Sequence, residues 1–183
     1  CGVCKPVQTG YPADQDLKYI AKIANLKKPQ IYNPLHFSKP LAPQQACEQD
    51  RLPPIDTKKL ARAVAAFCHK FTISFIEGAG GLYVPIRRNY YMLDLIKDLK
   101  AEAILVCRLG LGTVNHTLLS ISALRKKRIK IRGLIFNQTT PPDIDISAQL
   151  NPYIIQEAAC LPVLGIFPYQ KKLNPAKFAL RLA

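Results

Sequence analysis

Two rhythms of apolar residues alternate along the chain. Apolar positions recurring every three to four residues predict a helix with one buried face, and short unbroken apolar runs predict strands buried on both sides. The first apolar stretch, Gly2 to Val7, runs through Lys5-Pro6, and the proline predicts that any strand stops there or lies at its end. Asp14 to Asn25 has helical spacing, with Leu17, Ile20, Ala21 and Ala24 on one face. Gln30 to Pro54 is rich in Pro, Gln and Asn and predicts a long irregular connection, a length of loop that is usually functional or mobile. Asp56 is suited to cap a helix running to about His69, with Leu60, Val64, Phe67 and Cys68 facing inward.

The second half repeats the alternation more cleanly. Phe71 to Ile76 predicts a buried strand, broken by Glu77-Gly78-Ala79-Gly80-Gly81, and Met92 to Leu99 predicts a short helix. Strands are predicted at Ala103 to Cys107, Ile131 to Phe136 and Pro162 to Phe167, and a helix at Val114 to Lys127 with Leu118, Ile121 and Leu124 in the core. Ile144 to Ala158 has a helical pattern that Pro152 should break or kink, and Pro175 to Leu182 is suited to a closing helix. Alternating strands and helices, with strands that are apolar throughout, predict an α/β three-layer sandwich around a mostly parallel sheet. The whole chain is read as one domain, 1–183.

Ligands of such sheets bind outside the carboxyl ends of the strands. The polar and glycine-rich punctuation falls at those ends: Lys5, Glu77-Gly78, Arg108 to Gly112, and Asn137. Charge adds a second consideration. Lys and Arg number 26 against 12 Asp and Glu, a formal charge of +14, and such a balance attracts phosphate, nucleic acid or anionic lipid. The densest cluster, Arg125 to Arg128 with Lys130 and Arg132, falls where a helix gives way to a strand, where basic residues are favoured by the helix dipole and are commonly solvated. No basic stretch is interleaved with aromatics, as single-strand binders require, so a nucleic-acid partner is not expected. Six cysteines include one C-x-x-C pair, Cys1 and Cys4, with no second pair to complete a zinc site. A domain with a full core has little need of disulfides, and the cytoplasm is the expected compartment. No run reaches the roughly 18 apolar residues of a membrane span.

The residues at the strand ends have specific chemical uses. A carboxylate such as Glu77 can hold Mg²⁺ directly or through water, and the glycines after it let backbone N–H groups approach a phosphate. The plainer alternative is a glycine-rich turn with an incidental Glu. Lys5 at a strand end can act as a point charge on a transferring phosphoryl group, with Thr9 offering a hydroxyl to substrate. Taken alone, Lys5 reads equally as a surface lysine before a proline turn. The turn from Leu109 to His116 enters a helix, whose free N–H groups suit a carboxylate, while His116 reads as a polar helix-start residue. Asp14 and Asp16 open a helix, where acidic residues are favoured in any case, although one could help hold Mg²⁺. Asn137 could read a base edge through its amide, or be a strand-end turn residue.

Taken in order, these segments resemble the dethiobiotin synthetase family. Its pattern runs K-P-V/I-x-S/T-G, then V/I-E-G-A-G-G, then L-G-x-I/V-N-H, then a strand ending in Asn, then P-V/L-L-G-x-x-P. The corresponding segments are Lys5 to Gly10, Ile76 to Leu82, Leu111 to His116, Ile135 to Asn137, and Pro162 to Pro168. The resemblance implies a P-loop NTPase-like fold and an enzyme that carboxylates 7,8-diaminopelargonate with CO₂ and closes the cyclic urea of dethiobiotin at the expense of ATP, with Mg²⁺. It implies Lys5 as the catalytic lysine, Asp16 and Glu77 at the metal, and Thr9, Gly112, Thr113, Val114 and Asn115 at the substrate. Glu77, Gly78, Ala79, Gly80, Asn137, Gln138, Pro168 and Tyr169 would contact the nucleotide. The family acts as a homodimer, with the carboxylate turn near the interface.

One departure is plain. The family pattern opens with a strand, a phosphate loop ending in G-K-T and a helix ahead of the K-P motif, and residues 1–183 hold no such loop. The expectation is therefore an incomplete version of a longer protein, poorly folded and without ATP-dependent activity by itself. Two other readings stay open at this point: a ParA-like ATPase or another amide-forming synthetase on the same sheet, and a non-catalytic basic module that binds nucleic acid.

Overall fold

The computed structural model describes residues 1–10, 15–139, 141 and 146–170. The chain divides into two compact units, Cys1–Leu99 and Lys100–Ala183. Asp14 and the segment Pro175 to Leu182 lie outside the described residues.

In the first unit, the apolar opening forms two strands where one was expected. β1 is Gly2–Cys4 and β2 is Val7–Thr9. Pro6 cannot donate to a ladder, so the strand stops there, and the chain resumes in a different pairing. β1 is the middle strand of a parallel sheet in the order β3-β1-β5, with β3 at Ile31–Tyr32 and β5 at Ser74–Ile76. β2 pairs in parallel with β4, Leu35–Phe37. Between them, α1 covers Gln15–Ile23, burying Leu17 but leaving Ala24 beyond its end and exposed.

The expectation of an irregular connection from Gln30 to Pro54 is corrected. The segment holds β3, β4 and α2 at Pro43–Gln49, and a single 3-10 turn, Lys28–Gln30, leads into it. Strands of two or three residues are too short to show a period, and their ladders are supplied by β1 and β2. Pro43 begins α2, where its missing N–H costs nothing. α3 covers Thr57–Cys68, with the Asp56 carboxylate accepting from the Lys59 N–H at 2.9 Å. The strand expected at Phe71 to Ile76 is shorter and is not buried on both faces. Among the described residues β5 pairs with β1 alone, and Ile73 and Phe75 stay 58% and 48% exposed. A hairpin of β6, Pro85–Arg87, and β7, Tyr90–Tyr91, leads into α4, Met92–Asp98. Cys4, Val7, Phe37, Val64, Phe67 and Ile86 form the centre of this unit's core.

The second unit follows the expected alternation: β8 at Ala103–Arg108, α5 at Thr113–Lys126, β9 at Ile131–Asn137, α6 at Ile146–Ala159 and β10 at Val163–Phe167. Its sheet is parallel in the order β10-β9-β8, and the carboxyl ends align as Arg108, Asn137 and Phe167. Cys107, Ile121, Leu134, Phe136, Ile155 and Ala159 form its core. Two expectations change. α6 continues through Pro152, which is buried beside Asn151, so packing outweighs the hydrogen bond the proline removes. Among the described residues β8 pairs with β9 alone, and Val106 on it is 66% exposed. All six cysteines are free, and among the described residues no helix is long and apolar enough to cross a membrane. The fold is α/β with mostly parallel sheets, as the sequence pattern predicts.

Candidate functional site

The site in the first unit begins where β1 ends. The Lys5 N–H donates to the Tyr32 carbonyl on one side, and the Glu77 N–H donates to the Cys4 carbonyl on the other, both at 2.9 Å. These bonds hold the Lys5 and Glu77 backbones side by side at the carboxyl ends of adjacent parallel strands. Pro6 then turns the chain away. The Asn33 amide secures that bend by donating to the Lys5 carbonyl at 2.7 Å and to the Leu35 carbonyl at 2.9 Å.

The Lys5 side chain is 8% exposed, and its ammonium donates to Asp16 Oδ2 and, at 3.2 Å, to Glu77 Oε1. Three segments thus meet at one cation, Asp16 from 11 residues along the chain and Glu77 from 72. The carboxylates are half in water, with side-chain exposures of 49% and 52%. Burial disfavours the charged form of Lys5. The Asp16 hydrogen bond and the Glu77 and Asp16 charges outweigh it, so the Lys5 pKa lies above the ordinary lysine value. The same hydrogen bond from Lys5 holds Asp16 below the usual carboxylate value against a smaller desolvation effect, aided by the Lys5 charge and a hydrogen bond from Gln8. Lys5 is therefore a fixed ammonium at neutral pH, poised against hard oxygen donors. Asp16 also lines an open groove with Lys18, Tyr19 and Lys22.

The glycine run follows Glu77 directly. Gly78 and Gly80 are exposed, and Ala79 packs on the core of the unit. Gly80 has φ +74°, and a Cβ there would lie 2.8 Å from the Val84 side chain, so this turn needs glycine. Thr9 ends β2, paired with Phe37. Sequence reasoning passed over Asn33, hidden in the stretch read as irregular, and Gln8, the unassigned position between Val7 and Thr9. Gln8 is 8% exposed, a rare burial for that side chain.

The second unit brings together the other expected residues at its own strand ends. Asn137 closes β9, its carbonyl accepts from the Leu109 N–H at 3.2 Å, and the Gln138 N–H donates to the Phe167 carbonyl at 2.9 Å, just before Pro168 and Tyr169. The Gly110–Gly112 turn then enters α5. Gly112 caps the helix with φ +87° and no side-chain bond. Thr113 is engaged internally: its N–H donates to the Gly110 carbonyl, and its buried hydroxyl lies 3.4 Å from that of Thr117. Asn115 and His116 are exposed. Buried Asn151 of α6 ties the turn down by donating to the Gly110 carbonyl at 3.1 Å. The basic cluster is partly consumed within the fold. Arg125 donates to the Ala159 carbonyl, and Lys130 and Arg132 both pair with Glu102.

A family model described as an AAA domain matches residues 1–177. The chain is similar to ATP-dependent dethiobiotin synthetases, including that of Endomicrobium trichonymphae, with 35% identity over 180 residues covering 96% of this chain and 82% of the relative. The chain belongs to the dethiobiotin synthetase family. The family's protein from Methanocaldococcus jannaschii is 34% identical over 169 residues, covering 90% of this chain and 78% of the relative. That from Thermodesulfovibrio yellowstonii is 36% identical over 154 residues, covering 80% of this chain but 64% of the relative, so the chain spans less than two thirds of that protein. The dethiobiotin synthetase motifs read from the sequence thus lie at strand ends of the two units, with Lys5, Asp16 and Glu77 joined directly in the first.

Proposed function

We propose that this chain serves the ATP- and Mg²⁺-dependent carboxylation and ring closure of 7,8-diaminopelargonate with CO₂, giving dethiobiotin in biotin synthesis. The observation that carries the reading is the Lys5 ammonium, buried and bonded to both Asp16 and Glu77 at a strand end. In this reading CO₂ carbamoylates one amine, ATP phosphorylates the carbamate, and the second amine displaces phosphate to close the ring. Lys5 supplies a fixed positive charge to the transferring phosphoryl group, and Asp16 and Glu77 keep it protonated and aimed. Thr9 and the Gly112–Asn115 turn receive the substrate, its carboxylate meeting the Val114 and Asn115 N–H groups. Gly78 to Gly80, Asn137, Gln138, Pro168 and Tyr169 receive the nucleotide.

Asp16 and Glu77 fit Mg²⁺ in donor type: both are carboxylates, half exposed and gathered on one cation. Among the described residues no group of three His, Cys, Asp or Glu side chains converges, and Mg²⁺ takes few protein ligands when phosphates supply the rest. Bound there, the ion would neutralise charge on the phosphate oxygens.

Residues 1–183 contain no G-x-x-x-x-G-K-S/T sequence, so we expect them not to turn over ATP unaided. The family match running through both units supports treating them as one functional domain. A homodimer and a cytoplasmic location complete the proposal.

The test is dethiobiotin formation from diaminopelargonate, bicarbonate, Mg²⁺ and ATP by the product of the complete gene. Glu77→Ala should lower turnover by at least about 10²-fold. Full activity in that variant would show the site assignment to be wrong.

A further inference from the structure

Two neighbouring chain segments of the first unit break at the same level, and each breaks at a proline. β1 leads through Lys5-Pro6 into β2, and β3 leads through Asn33-Pro34 into β4. The parallel pairing keeps one register across the gap, with Cys4 opposite Tyr32 before it and Val7 opposite Leu35 after it. In that register Lys5 falls opposite Asn33, and Pro6 opposite Pro34. In a parallel ladder a residue's N–H reaches the carbonyl before its partner, and its carbonyl accepts from the N–H after it. Lys5 makes the first bond, to the Tyr32 carbonyl at 2.9 Å. The second cannot form, because residue 34 is proline and has no N–H. The Asn33 side chain supplies the missing donor. Its Nδ2 reaches the Lys5 carbonyl at 2.7 Å and the Leu35 carbonyl, two residues on in its own chain, at 2.9 Å. Both partners are acceptors only, so the nitrogen of the amide must face them. A residue before a proline is confined to extended backbone, which limits the freedom Asn33 gives up in making the two bonds.

We propose that Asn33 is a positioning residue for the reaction: its amide holds the Lys5 backbone at the break between β1 and β2, and so fixes the point from which the Lys5 ammonium reaches Asp16 and Glu77. This rests on the reading that Lys5 serves the transferring phosphoryl group. Without the amide, the peptide joining Lys5 to Pro6 loses its tie to the neighbouring segment, and the ammonium loses its fixed origin. A misplacement of about 1 Å at a reacting group can cost about 10²-fold in rate. Substrate binding should change little, because both Asn33 bonds go to carbonyls of the protein.

The product of the complete gene is assayed as wild type, as Asn33→Ala and as Asn33→Ala/Pro34→Ala, with rates normalised to folded protein by circular dichroism. Asn33→Ala should lower kcat by about 10-fold or more, with KM for diaminopelargonate and for ATP within about 2-fold of wild type. The second substitution returns an N–H to residue 34, so the double variant should regain a kcat within about 3-fold of wild type. A residue that served packing alone would not be rescued by a second truncation beside it. An unchanged kcat, a loss that follows the unfolded fraction, a rise in KM that accounts for the whole loss, or a double variant no more active than Asn33→Ala overturns the proposal. If Asn33→Ala does not fold, Asn33→Ser takes its place. One O–H must then serve two carbonyls, kcat should fall by about 3-fold or more at unchanged KM, and a wild-type kcat overturns the proposal. Wild-type protein that makes no dethiobiotin, or a Lys5→Met variant that keeps full turnover, sinks the functional reading and this inference together. An inactive Lys5→Met beside a fully active Asn33→Ala sinks the inference alone.

Discussion

Replacing Lys5 with Met separates what the buried ammonium does for the fold from what it does for the reaction. At 3.2 Å from Glu77 Oε1, the Lys5 charge has a gross attraction of about 1 to 5 kcal/mol for effective dielectrics between about 80 and 20. Both carboxylates are half exposed, which places the value near the lower end, and burying the lysine stem and head opposes it. Lys5→Met keeps the length and apolar body of the side chain. Its stability cost should stay within about 1 kcal/mol, or about 2–4 °C in Tm. Under the proposed role of Lys5 as the charge on the transferring phosphoryl group, turnover should fall by at least about 10²-fold, because Met supplies no substitute for that charge.

The pH dependence follows the same reasoning. Asp16 lies below its ordinary value of 3.8 when folded, so its contribution is present above about pH 4 and is lost as pH falls through the folded pKa. Lys5 lies above 10.5, so its contribution is present below that value and is lost as pH rises through the folded pKa. Stability owed to the pair is flat between these limits, and Lys5→Met should lose both slopes while Asp16 returns toward 3.8. The measurements are dethiobiotin formation, thermal melts across pH, and an NMR titration of Asp16. Turnover within about 3-fold of wild type would defeat the charge-stabilisation argument. A large drop in Tm, with activity lost in proportion to unfolded protein, would reduce Lys5 to a structural lysine.

Three further outcomes are expected. Gly80→Ala forces a Cβ into the left-handed region and toward Val84, costing about 1–2 kcal/mol in strain alone, and an unchanged melt would mean the turn adopts another conformation. Phe136→Ala empties a fully buried position in the core of the second unit and should cost about 3–5 kcal/mol in denaturant unfolding. Burial, with a smaller effect from Cys68, pushes the Cys4 thiol up to about 12. At pH 8, iodoacetamide should therefore label the exposed Cys1 and Cys160 long before Cys4. Mass mapping that finds Cys4 labelled at a comparable rate would contradict that burial.

The sequence by itself determined the α/β alternation, most of the second unit and the family. Apolar runs such as Ile131–Phe136 and the glycine punctuation after them are local features that survive in any context. It also named Lys5, Asp16 and Glu77 as separate candidates, each with an ordinary alternative. Only the tertiary structure shows that the three meet, because what surrounds a lysine's ammonium cannot be read from its neighbours in the chain. Pairing of β1 with β3 and β5 brings residues 5 and 77 together and buries the cation between carboxylates. The short strands at 31–32 and 35–37 were illegible for the same reason. Two or three residues carry no period, and their hydrogen bonds come from partners some thirty residues away in the chain. Asn33 needed the structure most of all, since the carbonyl its amide serves lies 28 residues away in the chain.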